Sequence, residues 1–177
     1  MNRVRSVIWP SLAFRIQLRM IRKIVSGGQT GADRAALDAA LRLGYDCGGW
    51  CPAGRIAEDG PIDARYPLME TPSEGYSQRT EWNVRDSDGT LILSLGRELT
   101  GGSELTRKFS RKWSRPCLWI SKTNTKTPID EVVSFVDDHR IEVLNVAGPR
   151  GSTEEGIGLY VEEILESALD RIIALKG

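Results

Sequence analysis

The sequence predicts an α/β protein, a Rossmann-like three-layer sandwich in which a mainly parallel sheet of about five or more strands has helices on both faces. From residue 20 onward, short apolar or β-branched runs alternate with segments of helical periodicity, and glycine-rich turns follow three of those runs. Alternation of this kind favours a parallel sheet, because parallel neighbours need a crossover that is usually a helix. The 177 residues suffice for one such domain, expected over 20–177.

The strands are predicted from short runs that end at turn residues. The first, 21–25, is closed by Ser-Gly-Gly, and the others cover 45–50, 90–93, 117–120 and 141–146. The proline- and glycine-rich segment 51–75 between the second and third is predicted to be a long loop. Loops of that length in a compact domain are usually functional.

The helices are predicted from apolar spacing and from end signals. Ala36, Leu37, Ala40 and Leu41 share one face of a helix over 33–43, which Gly44 ends. A second helix is expected over 77–85 and a third over 101–113. A fourth starts at Pro128, and a long C-terminal helix runs to near residue 175.

Composition excludes several classes of protein. The 24 basic and 24 acidic residues balance, which argues against a general nucleic-acid binder. No run approaches the roughly 20 apolar residues of a membrane span. The single histidine, His139, excludes His-rich metal sites and Ser-His or Cys-His nucleophile pairs. The three cysteines, Cys47, Cys51 and Cys117, have poor spacing for zinc and are expected to be buried or incidental thiols.

Residues 1–19 differ from the rest of the chain. They contain four arginines and no acid, which weakly resembles a targeting peptide, but Pro10 and Arg15 interrupt the apolar run. Met20 stands directly before the first predicted strand. The segment 1–19 is therefore expected to be a dispensable or disordered extension, or the result of a misplaced start codon, and the protein is expected in the cytoplasm.

Three glycine-rich turns, within 26–33, 96–103 and 147–153, each follow a predicted strand. In a parallel sheet all three lie at the carboxyl edge, where open α/β folds bind ligands. Glycine amides and helix N-termini suit a phosphate or another oxyanion. The alternative is that these glycines serve only the tight turns. The candidate binding residues are Ser26, Gly27, Gly28, Gln29, Thr30, Gly31, Gly101, Gly102, Ser103, Gly148, Pro149, Arg150 and Gly151.

The long loop and the helix after it supply further candidates. Trp50 is expected to pack on a planar ring, as is Tyr66, and Arg55 to reach an anionic group. Arg79 is expected to line the pocket from the helix over 77–85. The alternatives are a core tryptophan, arginines paired with nearby carboxylates, and an ordinary solvated helix face.

Several motifs together resemble a known family, and the match covers about residues 20–175 in a consistent order. They are Ser-Gly-Gly-Gln-Thr-Gly-Ala-Asp-Arg at 26–34, Gly-Gly-Trp-Cys-Pro at 48–52, Glu-Asp-Gly at 58–60, Arg-Tyr-Pro-Leu at 65–68, Asp-Ser-Asp-Gly-Thr at 86–90, Gly-Gly-Ser at 101–103 and Asn-Val-Ala-Gly-Pro-Arg at 145–150. The chain resembles the molybdenum cofactor carrier proteins, in the circularly permuted YpsA-like branch of the SLOG superfamily.

This resemblance implies a Rossmann-like fold, a homo-oligomer (dimer or tetramer) and binding of the molybdenum cofactor, a pterin with one phosphate and a dithiolene-held metal. The glycine-rich turns would hold the phosphate or molybdate-like oxygens, and no reaction would be catalysed. Molybdenum enzymes are the implied partners, with neither nucleic acid nor membrane involved.

The continuation of the third turn leaves an alternative open. Gly-Ser-Thr-Glu-Glu at 151–155 resembles a segment of the Lonely-Guy-type phosphoribohydrolases, in which an acidic pair helps to cleave a base–sugar bond. Glu154 and Glu155 would then act on the N-glycosidic bond of a nucleoside monophosphate. Otherwise the two are first-turn acids favoured by the helix dipole. The third hypothesis is a nucleotide-sensing protein, which binds a nucleotide phosphate without catalysing a reaction.

Overall fold

The computed structural model describes residues 21–175, so the extension predicted over 1–19 lies outside the described residues. The strands in this range are β1 (Lys23–Val25), β2 (Asp46–Cys51), β3 (Ile56–Ala57), β4 (Gly60–Pro61), β5 (Leu68–Glu70), β6 (Gly89–Ser94), β7 (Cys117–Ser121) and β8 (Val143–Ala147). The helices are α1 (Ala32–Leu43), α2 (Tyr76–Arg85), α3 (Gly101–Lys112), α4 (Pro128–Asp138) and α5 (Ile157–Ala174).

A six-stranded sheet of order β5-β2-β1-β8-β6-β7 forms the centre of the fold, and each neighbouring pair in it is parallel. Ile24 of β1 lies in register with Cys47 of β2 on one side and with Leu144 of β8 on the other. The predicted α/β class, with a parallel sheet of at least five strands and helices on both faces, is confirmed.

The prediction of an uninterrupted loop over 51–75 is wrong. A short 3-10 helix (Ala53–Arg55) and the antiparallel β3–β4 pair lie within it. The strand β5 also falls there and adds to the edge of the main sheet beside β2. These strands have only two or three residues each, so their alternation is too short to stand out among the prolines.

One face of the sheet is apolar. Leu91 and Leu93 of β6 and Leu144 and Val146 of β8 are fully buried in one cluster with residues of α1, α4 and α5. The strands expose alternate residues to this face, as the period of two requires. Each fully buried aliphatic side chain here contributes about 1.5–3 kcal/mol through the hydrophobic effect. This cluster is the main source of stability.

The other face, which carries α2 and α3, includes a layer of small polar residues. Ser103, Thr106 and Ser110 of α3 are buried, as are Thr90 and Asn145 of the sheet. The Asn145 amide donates from Nδ2 to Thr90 Oγ1 at 3.1 Å, so the polar layer satisfies its own groups.

On this same face α2 is held to β2. Asn83 Oδ1 accepts from the Trp50 N–H at 2.7 Å, and its Nδ2 donates to the Trp50 carbonyl at 2.9 Å. No helix among residues 21–175 is both long enough and apolar enough to cross a bilayer.

We predict that Leu144→Ala lowers the free energy of unfolding by about 2–5 kcal/mol, because it leaves a cavity in the apolar cluster between the sheet and its helices. Chemical denaturation followed by circular dichroism measures the change. The matched control is Leu159→Ala on α5, where 76% of the side chain is exposed. That change should stay within about 0.5 kcal/mol of the parent. Equal losses in the two variants would contradict this description of the core.

Candidate functional site

A cleft of about 310 Å³ opens at the carboxyl edge of the sheet. The turns after β1, β6 and β8 lie side by side there, because these three strands are neighbours in the sheet. The chain leaves β1 toward β2 in one direction and leaves β6 toward β7 in the other. Such a reversal of strand order is where open α/β folds form a ligand crevice. The cleft is lined by Gln29, Asp33, Tyr76, Arg79, Thr80, Thr100, Gly101, Gly102, Ser103, Leu105, Thr106, Ala147, Gly148, Pro149, Arg150, Ser152 and Thr153.

Eight of the residues singled out from the sequence line this cleft: Gln29, Arg79, Gly101, Gly102, Ser103, Gly148, Pro149 and Arg150. The lining also includes Tyr76, the first residue of α2, which sequence reasoning missed. The signal that could have found it is its position three residues before Arg79, on the same helix face.

Several amide groups of the β1–α1 turn already donate to acceptors within the protein. The Gln29 N–H donates to Asp33 Oδ2 at 3.3 Å and the Thr30 N–H to Gln29 Oε1 at 3.0 Å. The Ala32 N–H donates to the Pro149 carbonyl at 3.2 Å. These donors are already satisfied, so this turn shapes the cleft rather than supplying an open nest of amides for an anion.

Gly31 brings the turns after β1 and β8 together. Its φ is +77°, and a Cβ there would lie 2.5 Å from the Gly151 nitrogen and 2.7 Å from the Pro149 oxygen. Any larger residue would therefore be strained and would force the two turns apart. Gly31 itself, like Ser26, Gly27, Gly28, Thr30 and Gly151, lies outside the cleft lining.

The N-terminus of α3, in contrast, is open. A Cβ added at Gly101 or Gly102 would meet no atom within 4 Å, and both residues are exposed at the cleft. The Thr100 carbonyl accepts from the Ser103 N–H at 3.2 Å, and no side chain caps the helix. A 12-residue helix presents about half a positive charge at this end. This end of the cleft is suited to an anion.

Two arginines and an aspartate give the cleft its charge. Arg79 Nη1 donates to Asp33 Oδ2 at 2.8 Å, with only 13% and 4% of the two side chains exposed. The guanidinium carbon of Arg150 lies 4.8 Å from the centre of the Tyr76 ring, and that of Arg79 lies 5.9 Å from it. With Asp33 paired to Arg79, Arg150 gives the cleft its net positive charge.

The carboxylate of Glu58 lies outside the cleft lining and holds residues at the rim of the cleft together. Glu58 accepts from Ser152 Oγ at 2.5 Å, from the Ser152 N–H at 3.3 Å and from Thr30 Oγ1. The Glu58 N–H in turn donates to Gln29 Oε1 at 2.9 Å. The hydrogen bonds from Ser152 and then Thr30 lower the pKa of Glu58 below its ordinary value. From the sequence, Glu58 stood out only as part of a motif and as a partner for arginines.

Arg55 and Trp50 lie away from the cleft. The Arg55 guanidinium donates to the carbonyl oxygens of Ile62, Asp63, Tyr66 and Leu68 at 2.9–3.3 Å, which holds the segment before β5 in place. Trp50 Nε1 donates to Asp86 Oδ2 at 2.8 Å. The Trp50 ring packs edge-on against Trp82, with 4.7 Å between the ring centres.

Other aromatic and acidic candidates also have roles within the fold. Tyr66 is only 2% exposed and donates from its hydroxyl to Asp38. Glu154 Oε2 accepts from the Leu95 N–H at 2.6 Å, which ties the turn after β8 to the turn after β6. Glu155 is exposed, and neither acid lines the cleft.

The side chains that could ligate a metal do not cluster in the described part of the chain. Within residues 21–175, no group of three or more His, Cys, Asp or Glu side chains is placed to hold a metal ion. Burial raises the pKa of the thiols of Cys47, Cys51 and Cys117, which keeps them protonated at neutral pH.

The contact between Glu58 and Ser152 should depend on pH. Because the pKa of Glu58 is lowered in the folded protein, its contribution is complete above the ordinary glutamate pKa of about 4.3. That contribution is lost as the pH falls through the folded value. We expect the Ser152 amide resonance to titrate with a midpoint below 4.3 in NMR spectra of the parent.

The same resonance should not show this titration in Glu58→Gln. The control is Glu155→Gln, which removes an exposed acid from the same turn and should leave the midpoint unchanged. A midpoint at or above the ordinary glutamate value would contradict the contact.

The chain is similar in sequence and in structure to known proteins. Its residues 24–169 match the circularly permutated YpsA SLOG family. A crystal structure named "Putative molybdenum carrier protein", from Syntrophus aciditrophicus SB, is 46% identical and superposes with a TM-score of 0.81, over 85% of this chain and 96% of that one. No curated protein matches the chain. The chain therefore belongs to the circularly permuted YpsA family of SLOG proteins.

Proposed function

We propose that this protein binds and carries the molybdenum cofactor, a phosphorylated pterin whose dithiolene holds molybdenum, without changing it chemically. The name of the Syntrophus aciditrophicus protein, a carrier of molybdenum, supports this direction. So does the family match. Transfer to molybdenum enzymes and assembly into a homo-oligomer belong to the same proposal.

The observation that carries the proposal is the open N-terminus of α3 beside Arg150 in one cleft. A phosphate placed at Gly101 and Gly102 meets free amide groups and the positive end of the helix dipole. A guanidinium binds a phosphate through two parallel hydrogen bonds, a geometry that a lysine does not offer. Ser103 adds a hydroxyl in the first turn of the same helix.

The size and composition of the cleft suit the remainder of the ligand. Its volume of about 310 Å³ falls at the small end of the range for ligand sites. Gln29, Asp33 and Arg79 supply donors and an acceptor away from α3. A pterin has a planar ring whose edge carries both hydrogen-bond donors and acceptors, so it needs both kinds of partner.

The hydrolase alternative finds less support in the placement of its residues. Glu154 is engaged with the Leu95 N–H, and Glu155 is exposed outside the cleft lining. A carboxylate that assists glycosidic cleavage must lie within hydrogen-bond reach of the sugar or of the attacking water. Binding without chemistry is therefore the function that we propose.

The phosphate contact can be tested with Arg150→Gln. We expect it to raise the Kd for 6-hydroxymethylpterin phosphate by about tenfold or more, because a charge-assisted contact to phosphate is lost. Fluorescence titration of the pterin measures the change. For the unphosphorylated 6-hydroxymethylpterin, the same variant should change the Kd by less than about twofold.

The matched control is Arg97→Gln, which removes an exposed arginine of the β6–α3 turn that does not line the cleft. It should leave the Kd for both pterins unchanged. Equal losses for the phosphorylated and unphosphorylated ligand in Arg150→Gln would contradict the phosphate assignment.

The N-terminus of α3 can be tested with Gly102→Asp. An acidic residue in the first turn stabilises a helix by about 0.3–1 kcal/mol, and space is open at this position. The melting temperature should therefore stay the same or rise. The negative charge should repel a bound phosphate and raise the Kd for the pterin phosphate at least about tenfold. Calorimetry and the same titration test the two effects, and a variant that retains parental affinity would argue against an anion at α3.

A further inference from the structure

We propose that Gln29 determines which ring the cleft accepts, by donating a hydrogen bond from Nε2 to the 4-carbonyl oxygen of a ring in which that carbonyl adjoins an N–H, as in a pterin. This inference rests on the proposed function and adds the residue that selects the ring. It is carried by a buried side chain in the turn after β1, two strands away from β6, which leads into α3.

The Gln29 carboxamide is fixed in one orientation. Its Oε1 accepts from two backbone donors, the Thr30 N–H at 3.0 Å and the Glu58 N–H at 2.9 Å. A flipped amide would point Nε2 at both N–H groups, which are donors themselves. The Oε1 acceptor of Gln29 is therefore already used within the protein, and its Nε2 donor can bind a ligand.

That donor has no protein partner among the described residues. Gln29 is only 3% exposed, and its Nε2 is shielded from solvent without a hydrogen bond. Unsatisfied buried donors are rare because each costs free energy that an acceptor recovers. Arg79 Nε is in the same state, and both residues line the cleft. Two orphaned donors in one wall indicate a ligand that brings acceptors.

The position of Gln29 in the turn after β1 favours a contact with the ring rather than with the phosphate. It follows β1, whereas the open helix end follows β6, and β8 lies between them. Two strand spacings, about 10 Å, separate β1 from β6. A ligand with its phosphate at α3 therefore presents its other end to Gln29.

Asp33 makes this end unsuitable for a second anion. Its Oδ2 accepts from the Gln29 N–H and from Arg79, and it lines the cleft. A carboxylate accepts up to about four hydrogen bonds, so Asp33 retains capacity for a ligand donor. A donor from Gln29 beside an acceptor from Asp33 matches a ring edge on which a carbonyl adjoins an N–H.

The test compares two ligands that differ at one ring position. The probes are 6-hydroxymethylpterin phosphate and 2,4-diamino-6-hydroxymethylpteridine phosphate, in which an amino group replaces the 4-carbonyl oxygen. The parent should bind the pterin at least about tenfold more tightly, because the amino group turns a donor toward Nε2. In Gln29→Glu the two Oε1 hydrogen bonds can persist while the donor becomes an acceptor, so this preference should fall at least tenfold or reverse.

The matched control is Gln78→Glu on α2, which makes the same change of charge outside the cleft lining. The Gln78 Oε1 accepts a backbone N–H from Ser73 at 3.0 Å, so this control also replaces a glutamine that caps a backbone donor. It should keep the parental preference between the two ligands.

Equal binding of the two ligands by the parent would overturn the inference, and this result does not depend on the folding of any variant. An unchanged preference in a folded Gln29→Glu variant would do the same. If both probes bind but without discrimination, phosphate recognition stands and only the assignment of Gln29 fails. If neither probe binds the parent, the proposed function itself fails.

Discussion

The buried ion pair between Arg79 and Asp33 joins the two sides of the molecule at the cleft. Asp33 lies in the first turn of α1, which covers the apolar face of the sheet, whereas Arg79 lies on α2, which covers the polar face. The pair passes over Gly27, where an added Cβ would lie 1.8 Å from Arg79 Nη1. Removing one partner of such a pair leaves a buried charge without compensation, which typically costs 3–5 kcal/mol. The cleft geometry depends on this contact.

From that pair, hydrogen bonds extend from Asp33 along the rim of the cleft. Asp33 also accepts from the Gln29 N–H, and Gln29 in turn accepts from the Glu58 N–H. Glu58 then holds Ser152 in the turn after β8. A single network thus joins four segments that are far apart in sequence. Among residues 21–175, two buried donors of this network have no hydrogen-bond partner, Gln29 Nε2 and Arg79 Nε. We propose that a bound ligand supplies their acceptors.

Much of the fold could be predicted from the sequence, because long periodic segments carry their own signal. The alternation around α1, β6 and β8 was sufficient to predict a parallel sheet and the edge where its turns meet. The strand β5 was missed because its three residues pair with β2 only through tertiary contact. Short strands of this kind have no pattern long enough to recognise.

The site was less accessible to sequence reasoning than the fold. Glycines mark the turns but not their purpose: Gly31 allows close packing between turns, whereas Gly102 borders open space. Arg55 and Arg150 were both predicted to bind an anionic group, yet the first holds backbone carbonyl oxygens and the second lines the cleft. The pairing of Arg79 with Asp33 spans 46 residues, and no local pattern encodes such a distance.

The proposed function requires that the cleft bind one intact phosphorylated pterin cofactor. Native mass spectrometry of the anaerobic protein, after incubation with molybdenum cofactor released from a molybdenum enzyme, measures this binding. We expect a mass increase of one cofactor per chain, with the cofactor recovered unchanged on denaturation and displaced by 6-hydroxymethylpterin phosphate. A protein that gains no mass at saturating cofactor, or that returns a cleaved product, would contradict it.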